Sequence, residues 1–113
     1  VAAYTASDGK HYFLNPANKE TQVLFVADGM DYDASTMRTT KFIQLDDVNF
    51  NLVGDTELER MDFSNPLDKV EVTTGSVIGF ENQDGRRGIL NVKISSLIYP
   101  TIQCKFQAVA KKQ

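Results

Sequence analysis

Apolar and polar positions alternate with a period of two through most of the chain, the signature of half-buried strands rather than amphipathic helices. The segment TIQCKFQAVAK shows it most cleanly. Ile102, Cys104, Phe106, Ala108 and Ala110 share one side, and Thr101, Gln103, Lys105, Gln107, Val109 and Lys111 the other. This places Cys104 on the dry face of a strand with one wet side. Val48, Phe50 and Leu52 alternate in the same way with Asn49, Asn51 and Val53. Val70 and Val72 alternate with Lys69 and Glu71, and Leu90, Val92 and Ile94 with Ile89, Asn91 and Lys93. Residues 10–14 and 21–27 are strand-like by content. The second lacks clear alternation and reads as a strand covered on both faces. Lys41–Leu45 is a further strand. Glu57–Phe63 suits a strand or a short helix, and one helical turn is expected over Asp33–Arg38.

Turn chemistry punctuates these segments at residues 7–10, 15–18, 27–30, 53–56, 64–67 and 83–86. Asp-Gly and Asn-Pro supply the backbone angles that strand reversals need. Short strands joined by short loops, with no long helix, predict an antiparallel β-sandwich of about seven to nine strands, or alternatively a small β-barrel. No repeat or linker divides the chain, so residues 1–113 read as one domain.

The stretch GSVIGFENQDGRRGILNVKI, residues 75–94, raises the question of a phosphate loop. A Walker loop needs GxxxxGK[ST] leading into a helix. Here the interval from Gly79 to Gly85 is one residue too long, no Lys-Ser or Lys-Thr follows, and the next residues alternate as a strand. The stretch therefore predicts a β-hairpin. Ser76, Ile78 and Phe80 line one arm, Asp84-Gly85 forms the tip, and Leu90, Val92 and Ile94 line the buried face of the other. Gly88 lets the backbone bend or leaves room for an aromatic ring, and Arg86 and Arg87 read as solvated turn residues.

Through Val77, Ile78, Phe80, Asp84, Gly85, Arg86, Gly88, Ile89, Leu90 and Val92, this stretch resembles the hairpin "VIxFxTxDGKYGLIKV". That hairpin recurs near the C-terminus of surface lipoproteins and secreted proteins of Bacteroidota. Arg87 departs from it where an aromatic is usual, and Asn91 where a lysine is usual. The resemblance implies an exported β-sandwich in the cell envelope or extracellular space, tethered by a lipid upstream of Val1. It carries no catalytic residue.

Fifteen acidic against twelve basic residues give a net charge of −3, which disfavours a nucleic-acid partner. No apolar run reaches the roughly 20 residues of a membrane helix. With one histidine and one cysteine, a nucleophilic pair would have to join His11 to Cys104, and a closed zinc site lacks ligands. Asp28, Asp31 and Asp33 crowd one loop and offer oxygens to Ca²⁺, although their spacing is not that of an EF-hand. Tyr32 and Tyr99 are candidate platforms for a sugar ring. These features predict a non-enzymatic domain that binds a protein or glycan partner, or assembles with one. The alternatives are a carbohydrate-binding module and a small hydrolase using paired carboxylates.

Overall fold

The computed structural model describes residues 2–45, 48–93 and 101–107. The chain forms strands β1 (Ala2–Thr5), β2 (His11–Leu14), β3 (Thr40–Leu45), β4 (Lys69–Val72), β5 (Val77–Asn82), β6 (Arg87–Lys93) and β7 (Thr101–Phe106). Between them lie helices α1 (Lys19–Ala27) and α2 (Asp55–Arg60) and 3₁₀ turns at Ala34–Thr36 and Phe50–Leu52. All strand pairs are antiparallel, in a three-stranded sheet ordered β1-β2-β4 and a four-stranded sheet ordered β3-β5-β6-β7. The sheets do not close into a barrel. The predicted small all-β sandwich is the architecture found.

Phe13, Val70 and Val72 from the three-stranded sheet meet Phe42, Ile78, Phe80, Leu90 and Val92 from the four-stranded one in a single buried cluster. The sheets are tied at one corner, where Phe42 and Leu67 exchange two backbone hydrogen bonds of 3.1 and 2.8 Å. Behind that corner Asn15 is buried and joins four segments. Its side chain donates to Asp68 and accepts from the N–H groups of Ala17 and Thr40, while its carbonyl accepts from the Thr21 hydroxyl. Each buried polar group here has a partner, as a dry interior demands.

Both outer faces carry a further layer. Phe50, Leu58 and Ile89 form a second cluster beneath α2, with Leu45, Val48, Val53, Met61 and Val77 around it. Ile89 is therefore as buried as Leu90, and β6 is covered on both faces. On the other side, α1 lies across the three-stranded sheet, with Phe25 edge-on to Tyr4 at 6.0 Å.

Residues 21–27 are helical, not a strand. Asn18 caps α1 by accepting from the Glu20 N–H at 2.8 Å. Gly29, at φ +82°, ends it with an N–H bond to the Val26 carbonyl. The caps override the β-branched content between them. Apolar residues lie on both sides of α1: Leu24 and Phe25 are half-buried, while Val23 and Val26 are exposed. That distribution hides the helical period. The expected strand through Val48–Val53 is instead a 3₁₀ turn. The Asn49 side chain accepts from the Asn51 N–H at 3.0 Å, a local bond that competes with a strand ladder. The short-helix reading of residues 57–63 is met by α2, whose Glu57 carboxylate reaches back to the Gly54 N–H at 3.0 Å. The helical turn expected over 33–38 is the 3₁₀ turn capped by Asp33.

Candidate functional site

The two sheets have unequal width, and the difference falls at β7. The stretch before β4 is pinned to β3, so the shorter sheet starts from that corner and has one strand fewer to lay across the wider one. Among the described residues no strand of the shorter sheet remains to cover β7. Its inward-pointing residues are consequently uncovered: Ile102 is 40 % exposed, Phe106 42 % exposed, and Cys104 is exposed. The assignment of Cys104 to a dry face is thus half right. The residue points to the core side, but the narrower sheet ends before reaching it.

The same residues carry the free edge of the sheet. Gln107 donates to the Arg87 carbonyl at 3.0 Å, so in the alternating antiparallel ladder Ile89 bonds Lys105 and Asn91 bonds Gln103. The backbone N–H and C=O groups of Ile102, Cys104 and Phe106 are turned away from β6. Among the described residues no strand pairs with them. Three apolar side chains and backbone groups that no described strand pairs therefore share one rim. Partial burial raises the Cys104 thiol above its ordinary pKa, which keeps it in the poorly nucleophilic thiol form at neutral pH.

Arg86 and Arg87 are not solvated turn residues. Arg86 donates twice to the Gln107 carbonyl, at 3.1 and 2.9 Å, and lies 4.2 Å from the Phe106 ring centroid. Arg87 turns under the four-stranded sheet towards α2. Its Nη1 donates to the carbonyls of Leu58, Glu59 and Met61, and its Nε to Glu81 at 2.8 Å. An arginine in a GRRG turn gave no sequence signal for this; the signal lay in strand parity, which sets residue 87 on the face opposite Gly88.

A second concavity of about 230 Å³ lies between the N-terminal half of α1 and the outer face of the three-stranded sheet. Leu14, Thr21, Val23 and Leu24 supply most of its lining, with Glu20, Asp68 and Lys69 around them.

The predicted site residues do not converge on either feature. Tyr32 is spent on packing: its hydroxyl donates to the Pro16 carbonyl at 2.7 Å, its ring leans on Phe25 at 5.1 Å, and burial raises its pKa. Tyr99 lies outside the described residues. Asp28, Asp31 and Asp33 are exposed, and among the described residues no three acidic, histidine or cysteine side chains gather to hold a metal. Asp33 instead accepts from the hydroxyl and N–H of Ser35. His11 meets the Thr5 hydroxyl at 2.9 Å.

Three carboxylates are held below their ordinary pKa by local hydrogen bonds: Asp33 by the side chain and then the backbone of Ser35, Glu57 by its own N–H and that of Gly54, and Asp62 by Ser64. A group whose folded pKa is lowered stabilises the fold above its unfolded pKa and loses that contribution as pH falls through the folded value. Acidification below about pH 4 is therefore expected to fray the 3₁₀ turn at Ala34–Thr36, the start of α2 and the turn at residue 62 before the sheets. Amide exchange at Ser35, Gly54 and Ser64, measured by NMR across the titration, checks this. Exchange rising first in β5 and β6 would contradict it.

Comparison of the chain with protein-family models, curated proteins and solved structures finds no match.

Proposed function

We propose that this is a non-enzymatic binding or assembly domain that accepts an extended strand of a partner protein along β7. The supporting observation is the coincidence at one rim of uncovered apolar side chains and unpaired backbone groups on Ile102, Cys104 and Phe106. A strand laid there gains main-chain hydrogen bonds from the edge and apolar contacts from alternate side chains, which is how strand addition combines affinity with selectivity. The partner segment alternates apolar and polar residues, matching the period of β7. Placement in the cell envelope or extracellular space rests on the resemblance of the β5–β6 hairpin to exported lipoproteins.

Glycan binding has less support, because the Tyr32 ring is packed against Phe25. A paired-carboxylate hydrolase has less still, because Asp33, Glu57 and Asp62 are committed to turns and caps.

The test is titration of the labelled domain with ten-residue peptides of alternating apolar pattern, beside scrambled peptides and an oligosaccharide array. Saturable NMR shifts confined to β7 are expected. Cys104→Pro removes an outward N–H without touching the β6–β7 ladder, and is expected to weaken binding by about tenfold, or about 1.4 kcal/mol. Equal binding by scrambled peptides, or indifference to this substitution, would overturn the reading. So would saturable glycan binding or turnover with no peptide response.

A further inference from the structure

The concavity beneath α1 stands apart from the β7 rim and has its own chemistry. Its floor is Leu14, whose 1 % exposure belongs to the apolar base of the outer sheet face. Thr21 and Leu24 of α1 form one wall, and Val23, 66 % exposed, forms the lip. At about 230 Å³ it is smaller than the roughly 300–1,000 Å³ of drug-sized sites, so it suits a single ring or a short branched chain.

Charge selects among such occupants. Glu20 and Asp68 stand at the pocket, and among the described residues neither has an ion-pair partner. One oxygen of Asp68 accepts from Asn15 at 2.9 Å, which fixes the carboxylate in place. The nearby cation, Lys69, has its ammonium 4.3 Å over the Tyr12 ring. The N-terminus of α1 offers little to an anion, because Asn18 already accepts from the N–H groups of Glu20 and Gln22. Two negative charges beside an apolar hollow, that of Asp68 held in place by Asn15, complement an organic cation.

We propose that this pocket binds small primary amines bearing an aromatic or branched aliphatic body. The body fills the space between Leu14, Val23 and Leu24, and the ammonium lies between Glu20 and Asp68. The partly exposed site makes the charge contribution modest, so millimolar affinity is expected.

Benzylamine is the probe, with benzyl alcohol and phenylacetate as neutral and anionic counterparts of similar shape. In an amide-detected NMR titration, benzylamine is expected to give saturable shifts at Thr21, Val23, Leu24 and Lys69, and to outcompete both counterparts. Glu20→Gln is expected to weaken it by about threefold. Val23→Lys, which sets an ammonium at the exposed lip, is expected to abolish binding while the rest of the spectrum stays unchanged. Should Val23→Lys perturb the fold, the Glu20→Gln comparison still decides. Absence of saturation up to about 50 mM, well above a Kd of about 1 mM, overturns the proposal. Equal or tighter binding of phenylacetate or benzyl alcohol overturns it too, as does benzylamine affinity unchanged by Glu20→Gln. None of these results bears on strand addition at β7.

Discussion

Gly88→Ala is expected to destabilise the domain by about 3 kcal/mol, at the upper end for overpacking of a closed interior, and to lower the melting temperature by about 10 °C. A methyl group at residue 88 would sit 2.3 Å from the Phe80 Cζ, 2.6 Å from its Cε1 and 2.7 Å from the Lys105 carbonyl oxygen. The Phe80 ring lies in the space that the missing side chain leaves, and Phe106 stacks on that ring at 5.4 Å. Retreat is blocked on one side by a ring in the main core and on the other by the backbone of β7. The Phe80→Leu, Gly88→Ala double variant separates the two contacts. It relieves the ring but not the carbonyl, so only part of the loss is recovered, and the interaction energy measures the ring's share. Gly85→Ala is the contrast. It has φ +82° with nothing within 4 Å, so its cost is backbone strain alone, about 1 kcal/mol. Urea unfolding followed by circular dichroism reads all three. Equal losses for Gly85→Ala and Gly88→Ala would refute the account.

Arg87→Ala is expected to cost about 3 kcal/mol, the lower end for breaking a largely buried pair. The side chains of Arg87 and Glu81 are 14 % and 19 % exposed. Truncation strands the Glu81 carboxylate and leaves the carbonyls of Leu58, Glu59 and Met61 without their shared donor. Those carbonyls lie at the end of α2, so the helix should detach from the sheet, exposing Leu58 and Ile89 before the main core opens. Arg87→Lys is not a rescue, because a point ammonium does not reproduce the planar fork that reaches both Glu81 and the helix end. Hydrogen exchange in α2 that rises with the loss of global stability, and more steeply for Arg87→Ala than for Arg87→Lys, is the expected pattern. A lysine variant of wild-type stability would disprove the role.

Most of the sandwich was legible because its strands bury one face. Val70 and Val72 in β4, the β5–β6 hairpin with Asp84-Gly85 at its tip, and the space reserved at Gly88 all follow from period-two patterning and turn chemistry. What escaped has definite physical causes. In α1 the apolar residues fall on both sides and the caps decide the conformation. Before α2, the Asn49 side chain captures the Asn51 N–H and defeats an alternation that looked like a strand. β1 reads AAYT, with no alternation of apolar and polar residues to carry a pattern. At β7 the pattern identified the correct face but not its cover, since the width of the opposing sheet is a property of topology. The candidate site was less legible for the same reason. The acidic loop and Tyr32 stood out by composition, yet local capping and packing absorb them, whereas the rim and the pocket arise from residues distant in sequence.

The order of the strands bears on how the chain acquires its shape. β1 pairs with β2, β5 with β6 and β6 with β7, each with its immediate successor, while β2 reaches β4 and β3 reaches β5 only after the intervening segments have been looped out. Such closures cost chain entropy before any contact is returned. During synthesis Phe13 and Phe42, which stack on each other at 6.4 Å, therefore wait without the rest of their cluster until Ile78, Phe80, Leu90 and Val92 have emerged from the ribosome, and the N-terminal half is the portion most in need of shielding while it waits.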